Sequence, residues 1–182
     1  MRLISFLLTF LFMFQPKGEI KNMVPVDDGS KVAFTIKNFG IAVNGTLKGL
    51  EGNINFDPNA LETSSFDVTV KVATIDTDNG MRDASLKQDY FQVENHPLIR
   101  LVSSKIELTE RSSQGFYNFT GKLTIKGITK EVSFPFQATR QRENLIFVGN
   151  FAINRLDFKV GESSSILSNK VNISLKVLTR KK

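Results

Sequence analysis

Two short polar segments of this chain have residue types and spacing that could do chemistry. Asn154, Arg155 and Asp157 stand at the end of an extended apolar run, and Arg82 precedes Asp83 in a turn-rich stretch. Charges set among apolar residues need partners or water, because an unpaired buried charge is costly. Such side chains can contact the polar head group of a ligand, or they can brace the fold. For Arg155 and Asp157 we favour bracing, through a pair with each other or with the Arg82 region.

The groups that most enzymes use are sparse in this sequence. His96 is the only histidine, it stands directly before Pro97, and cysteine is absent. A Ser-His-Asp arrangement or a zinc site needs an oriented His together with further partners or ligands. Neither GxGxxG nor a Walker pattern occurs, and paired carboxylates such as Asp76 and Asp78 lie in polar loops without the apolar surroundings that raise a pKa. We therefore expect no enzyme, no catalytic residue and no metal site.

The charge and the amino terminus indicate the partners and the compartment. The net charge is +6, but Lys and Arg are scattered over many predicted strands, so we expect no nucleic-acid partner. Arg2 precedes an apolar run, Leu3–Phe14, which predicts a secretory signal peptide over residues 1–17. A buried helix or an uncleaved anchor remains the alternative, although the run is shorter than the about 20 residues that span a bilayer. Residues 18–182 then form one exported domain, held by its core without disulfides.

Apolar and polar residues alternate with a period of two along most of the chain, which predicts half-buried strands. Residues 41–56 and 99–108 also read as extended, giving about eight strands. The apolar sets on one face of the other runs are Val32, Phe34 and Ile36; Phe66, Val68, Val70 and Val72; Tyr117, Phe119, Leu123 and Ile125; Val132, Phe134, Phe136 and Ala138; Leu145, Phe147, Phe151 and Ile153; and Val171, Ile173, Leu175 and Val177.

One helical segment near residues 79–88 connects two of these long strands. Met81, Ala84 and Leu86 could face inward there, and an Asn or Asp is expected to cap its start.

About eight antiparallel strands favour either a closed barrel or a sandwich. Three glycines, Gly45, Gly49 and Gly52, make the second strand easy to bend, as a barrel corner requires. Lys126-Gly127 stands between two alternating runs and predicts a tight turn, where positive φ must be tolerated. The interior of an eight-stranded barrel is either filled by side chains or holds one small ligand. Composition alone favours the packed core.

Four segments carry a resemblance to a known family: Met81–Lys87, Asp89–Ile99, Gly121–Lys130 and Asn154–Phe158. In order and spacing they resemble the YceI-like family of lipocalin-like, lipid-binding periplasmic proteins. The resemblance implies an all-β fold: an eight-stranded antiparallel lipocalin-like barrel with one short helical connection, commonly a homodimer. Two positions depart from the family pattern. Ser85 stands where a His is frequent, and Lys159 stands where a Gly is usual.

The resemblance also implies a function, namely non-enzymatic binding or transport of a long-chain isoprenoid or other amphiphilic lipid in the barrel lumen. Transient membrane contact would accompany it. The alternative is a stress-response or membrane-redox accessory module that acts through protein partners and has a filled barrel. The candidate apolar contacts for the lipid are Phe34, Ile36, Phe66, Val68, Val70, Phe119, Leu123, Phe134, Phe136, Phe147 and Phe151. The candidate head-group contacts are Arg82, Asp83, Asn154, Arg155 and Asp157.

Overall fold

Eight antiparallel strands form a closed barrel in the computed structural model, which describes residues 22–182. The predicted signal peptide at residues 1–17 lies outside the described residues. Each strand pairs with the next along the chain, and the last pairs with the first. The prediction of an all-β, eight-stranded antiparallel barrel is confirmed, and the sandwich is excluded. The strands are β1 Met23–Asn38, β2 Ile41–Asn55, β3 Ser65–Asp76, β4 Leu98–Leu108, β5 Phe116–Ile125, β6 Ile128–Gln141, β7 Asn144–Asn154 and β8 Leu167–Lys181.

The two ends of the barrel differ. We call the end that carries the hairpin turn 39–40, the connection 77–97 and the segment 155–166 the open end. We call the opposite end, with the connections 56–64, 109–115 and 142–143, the closed end. Short 3₁₀ turns lie at Leu61–Thr63 and Ser112–Gln114 at the closed end, and at Arg155–Phe158 at the open end.

Tight turns and one bent strand close the barrel. Lys126 and Gly127 have φ values of 52° and 72°, so the predicted turn between β5 and β6 is confirmed. In β2, Gly49 and Gly52 also have positive φ, and the pairing with β3 shifts register between Lys48 and Glu51, around Gly49. A Cβ on Gly52 would lie 2.1 Å from the carbonyl oxygen of Asp67. Only glycine fits this approach of the two backbones, and the resulting bend curves the sheet.

The helical connection begins as the α-helix α1, Gly80–Ser85, and continues as a π-helical turn, Leu86–Tyr90. Asn79 caps α1, because its side chain accepts a hydrogen bond from the backbone N–H of Arg82 at 3.0 Å. The side chain of Met81 is 84% exposed and Ala84 is exposed as well, so the prediction that these two residues face inward is wrong. The helix is too short to bury more than one face, and Leu86 lies on that face. Within residues 22–182, no helix has the length and apolar character needed to cross a membrane.

The core is concentrated at the closed end. It consists of aromatic rings from four strands, β3, β5, β6 and β7, and from Phe56 directly after β2, together with aliphatic side chains such as Met23 and Ile54. A second, smaller apolar cluster packs Phe158 and Val160 of the segment after β7 against Leu123 and Ile125 of β5. Burial of these side chains supplies most of the favourable free energy of folding.

Candidate functional site

A cavity of about 810 Å³ occupies the open half of the barrel and reaches the surface. Its walls are mostly apolar and come from every strand except β6. The side chains of Phe158 and Val160 pack near Ile128 and Val132 of β6 and keep that strand away from the cavity. The inward-facing wall residues include Val32, Phe34 and Ile36 of β1, Leu47 and Leu50 of β2, Val68 and Val70 of β3, Ile99 and Leu101 of β4, Leu123 and Ile125 of β5, Phe151 and Ile153 of β7, and Val171, Ile173, Leu175 and Val177 of β8.

Aromatic rings fill the closed half of the barrel, below this cavity. Phe66 lies at their centre, with its ring centroid 5.1 Å from that of Phe147, 5.6 Å from that of Phe136 and 6.1 Å from that of Phe119. Phe56 lies one layer deeper and contacts the ring of Tyr117 edge to face. We call this group, including Tyr117, the aromatic floor. Its edge-to-face contacts are the favoured geometry for aromatic rings in a packed interior.

A row of three stacked rings joins the floor to the cavity wall. The rings of Phe119 and Phe134 are 4.8 Å apart, and those of Phe134 and Phe151 are 4.3 Å apart. Only Phe151 of the three lines the cavity. Gly149 leaves room for the second ring, since a Cβ there would lie 3.1 Å from Phe134.

The structure divides the apolar residues predicted to contact a ligand into two sets. Phe34, Ile36, Val68, Val70, Leu123 and Phe151 line the cavity. Phe66, Phe119, Phe134, Phe136 and Phe147 are buried in the closed half. The alternation in sequence assigns both sets to the inner face, but it does not separate a filled layer from a hollow one. For all eleven, contact with a ligand stays a prediction.

Arg82, Thr77 and Asp83 form a polar network at the open end. The Nε of Arg82 donates to the hydroxyl of Thr77 at 2.7 Å, and its Nη2 donates to the Thr77 carbonyl at 2.6 Å. The Thr77 hydroxyl in turn donates to the buried carboxylate of Asp83 at 2.5 Å. Arg82 and Thr77 line the cavity, whereas Asp83 stands behind Thr77. The network holds the Arg82 guanidinium at the wall and leaves its Nη1 group available.

Arg155 is the most deeply buried charged side chain of the described residues, with 3% of its surface exposed. Its Nε donates to the carbonyl of Ser168 at 3.0 Å, its Nη1 to that of Val160 at 2.9 Å, and its Nη2 to that of Glu162 at 2.8 Å. These bonds tie the segment after β7 to the start of β8. Arg155 touches the cavity, but its donors are used on backbone carbonyls and on the side-chain oxygen of Asn169.

The remaining two polar candidates, Asn154 and Asp157, lie outside the cavity lining. The side chain of Asn154 accepts a hydrogen bond from the backbone N–H of Leu156 and begins the 3₁₀ turn. Asp157 is exposed. Within residues 22–182, Arg155 forms no ion pair with Asp157 or with any other carboxylate, so the ion pair considered from the sequence does not form. Carbonyl oxygens take its place.

The two departures from the family pattern have different local structures. Lys159 follows the 3₁₀ turn with φ 52° and ψ 36°, in the left-handed region where glycine is favoured. Its carbonyl oxygen accepts a hydrogen bond from the Nζ of Lys126. Ser85 lines the cavity, and its hydroxyl donates to the carboxylate of Asp89 at 2.8 Å.

Several lining residues were not among the predicted site residues. Thr77, Ser85, Asp89 and Tyr90 are polar residues of the connection 77–97 that face the cavity. No spacing rule identifies them, because their position depends on how that connection folds over the barrel. The β8 residues carried a usable signal, since their alternation marks Val171–Val177 as inward facing.

Among residues 22–182, no three His, Asp or Glu side chains come together as a metal site.

Charge and burial shift the pKa of several titrating groups, among them Asp67 on the outer surface of the barrel and Tyr117 in its interior. On the outer surface, a hydrogen bond from Arg100 lowers the pKa of Asp67, and the positive charge of Arg100 adds to this effect against partial burial. The two side chains form an ion pair at 2.6 Å between β3 and β4. Inside, burial in the aromatic floor raises the pKa of Tyr117. Neither group lines the cavity.

Solved structures share this barrel. The crystal structure of Burkholderia cenocepacia BcnA aligns with a TM-score of 0.79 at 28% identity, over 85% of this chain and 98% of that chain. A polyisoprenoid-binding domain from Saccharophagus degradans aligns with a TM-score of 0.72, over 88% of this chain and 98% of that chain. Its identity is 10%, so this likeness shows the fold alone.

Comparison of the amino-acid sequence with those of other proteins identifies relatives of the same kind. A UPF0312 protein of Photorhabdus laumondii is 32% identical over 103 residues, which are 56% of this chain and 52% of that protein. The chain thus spans about half the length of the curated relatives it matches. The model of the YceI-like domain matches residues 25–178, a range that contains all of β2 to β7 and nearly all of β1 and most of β8. The chain therefore belongs to the YceI-like domain family.

Proposed function

We propose that this protein binds one long-chain amphiphilic lipid, of the isoprenoid or acyl type, in the open half of its barrel and carries it without chemical change. The observation that supports this most is the apolar cavity of about 810 Å³ that opens at the surface. Ligand sites in proteins have volumes of roughly 300–1,000 Å³ with mainly apolar walls and few polar groups. A barrel filled by its own side chains, as the accessory-module alternative requires, does not have such a cavity.

The energetics of chain burial are sufficient for tight binding. Each buried methylene group contributes about 0.8 kcal/mol, so a chain of about twenty carbons gains roughly 16 kcal/mol. Ordering the chain and losing its translational freedom offset a large part of this gain. The remainder is enough for a carrier, which must also release its lipid.

Polar groups at the open end suit the head of an amphiphile. Arg82, Ser85 and Asp89 lie on one side of the cavity, and Asn38 lies on another. The Nη1 group of Arg82 can donate to a hydroxyl, carbonyl or anionic oxygen of a head group. The lipid would then lie with its head at the open end and its tail toward the aromatic floor.

We place this carrier in the periplasm, exported by the signal peptide at residues 1–17, and we propose a homodimer as its assembled form. A long-chain lipid is insoluble in water, so it needs a protein carrier to cross the aqueous space between two membranes. The apolar cavity suits that task, and the periplasm is such a space. The polyisoprenoid-binding domain of Saccharophagus degradans has the same fold, which makes isoprenoids the first class to test.

The rim of the open end supports transient membrane contact during loading. Phe39 and Ile41 are each 71% exposed, Met81 is 84% exposed and Ile166 is 45% exposed. Phe39 also holds a positive φ of 51° in the two-residue turn between β1 and β2, where Asn or Gly is the usual residue. An exposed Phe in that conformation is costly for the fold and useful at a lipid surface.

The binding proposal is tested by native mass spectrometry of protein purified from its own host, with organic extraction to identify the lipid. Leu175→Trp places an indole ring in the cavity, whereas Lys176→Trp places the same ring on the outer face of β8. We expect a copurifying lipid in the parent protein and in Lys176→Trp, and its loss from Leu175→Trp. A parent protein that is empty and leaves isoprenoid and fatty-acid probes unbound overturns the proposal.

The membrane proposal is tested with sedimentation of phosphatidylglycerol–phosphatidylethanolamine vesicles. Phe39→Asn removes the exposed ring and introduces a residue that the turn favours, so the fold is retained. Leu108→Asn is the matched control, because Leu108 is 64% exposed at the closed end. We expect Phe39→Asn to reduce vesicle binding and Leu108→Asn to leave it unchanged. Equal binding by both variants contradicts membrane contact at the open end.

A further inference from the structure

We propose that the aromatic floor limits the length of the bound hydrocarbon chain to about 25 carbons, and that Phe66 is the residue that sets this limit. The inference rests on the proposed lipid binding. It goes further by assigning the tail of the ligand to a defined end point inside the barrel.

The cavity lining ends where large rings begin. Val68 of β3 is paired in register with Leu101 of β4, which is paired with Leu123 of β5. All three line the cavity. Phe66 is the next inward residue along β3 toward the closed end, roughly 7 Å beyond Val68 at 3.3 Å per residue. Along β3 the inward side chains therefore change from aliphatic to aromatic within one step of the strand.

Phe66 is packed against four other rings of the aromatic floor. The Phe66 side chain is 8% exposed, that of Phe119 is 3% exposed and that of Phe147 is 6% exposed. Four ring centroids lie between 5.1 and 6.2 Å from that of Phe66. A chain end that reaches this layer meets rings held by other rings. Moving them would open a void, which packed interiors resist.

The volume of the cavity gives the size of the limit. A methylene group takes up about the same space as a water molecule, roughly 30 Å³ in a liquid. A cavity of about 810 Å³ therefore accommodates on the order of 25 carbons. Carbons beyond that number have to remain outside the open end, in contact with water or a membrane.

The test is a chain-length series measured by displacement of a fluorescent fatty acid. Saturated fatty acids of increasing length form one arm and linear polyprenols form the other. We expect affinity to rise by up to about fourfold for each added carbon, and to stop rising near the limit. Phe66→Ala is expected to move that point to longer chains by about three carbons, the space that a lost phenyl ring leaves.

Two further variants keep the test decisive. Val68→Phe adds a ring above the floor without opening a void, and should move the limit to shorter chains. Phe56→Ala removes a ring from the deeper layer, one that does not line the cavity, and should weaken the fold without moving the limit. An unchanged chain-length profile in both Phe66→Ala and Val68→Phe overturns the length limit while lipid binding stands. Failure of the parent protein to bind any chain overturns the proposed function, and the length limit with it.

Discussion

Arg82 and Arg155 carry the same charge at the same cavity but are held differently. Arg82 uses two of its nitrogens on one residue, Thr77, and its third nitrogen, at the cavity wall, has no hydrogen-bond partner among residues 22–182. Arg155 distributes its donors over carbonyl oxygens of two chain segments. A guanidinium that is saturated by backbone acceptors stabilises the fold, whereas one with a free donor can recognise a ligand. We therefore assign bracing to Arg155 and propose head-group contact for Arg82.

Replacement of Arg155 is expected to be costly. Arg155→Met retains an apolar stem but leaves several buried carbonyl groups without a donor, so the free energy of unfolding should fall by about 3 kcal/mol. Asp157→Ala, two positions away and exposed, should change it by less than about 0.5 kcal/mol. Urea denaturation of the lipid-free proteins measures both. Similar losses in the two variants would mean that Arg155 does not brace this segment.

Tyr117 makes stability depend on alkaline pH. Burial raises the pKa of its phenol, so the folded state favours the neutral form. The resulting stabilisation is fully present below the ordinary tyrosine pKa of about 10 and is lost as the pH rises through the higher folded value. In Tyr117→Phe the free energy of unfolding should decline less steeply above pH 10 than in the parent. Parallel declines in the two proteins would contradict this.

At the scale of elements, β2 carries the bend that curves the barrel wall. It turns through positive-φ glycines, and its pairing with β3 changes register at the bend. The connection 77–97 is different in kind. It contributes no strand, but its short helix and π-helical turn bring Arg82, Leu86 and Tyr90 to the cavity. The strand β2 thus shapes the barrel wall, and the connection 77–97 supplies side chains at the open end of the cavity.

Gly52 should tolerate no side chain. Gly52→Ala places a Cβ against the Asp67 carbonyl in a backbone conformation that L-residues avoid, and we expect a loss of more than about 3 kcal/mol in the free energy of unfolding. Gly80→Ala is the control, because a Cβ on Gly80 meets nothing within 4 Å. It should raise stability by about 0.5 kcal/mol through its helix propensity. Thermal denaturation of the two variants measures these changes in the free energy of unfolding. A loss of less than about 1 kcal/mol in Gly52→Ala would show that the bend in β2 can adjust to a side chain.

For the whole molecule, the two halves of the barrel differ in packing. The closed half is packed with rings and carries the core. The open half retains about 810 Å³ of unfilled space, which forgoes packing energy in the lipid-free protein. A bound chain would restore those contacts, so the proposed lipid would complete the core as well as occupy the cavity.

A bound lipid should therefore raise thermal stability. At a free concentration one hundred times its Kd, a ligand adds about 2.7 kcal/mol to the free energy of unfolding. For a domain of this size the Tm should rise by roughly 5–10 °C. Calorimetry before and after organic extraction measures the shift, with Leu175→Trp as a control that should show none. An extracted protein that melts at the unextracted temperature would contradict lipid binding in the lumen.

Local patterning determined much of this protein without further information. The alternation with period two defined the strands and their inward faces, Lys126-Gly127 marked a turn and Asn79 marked a helix start, because these features depend on neighbouring residues. Only the tertiary structure decided which inward residues leave a cavity. Phe66 and Phe34 are alike in sequence pattern, yet one is packed among four rings and the other lines open space. The difference arises from which strands face each other at each level of the barrel, and that depends on closure and on where the segment after β7 packs. The partners of Arg155 were likewise decided by tertiary structure, since backbone carbonyls leave no signature in side-chain identity.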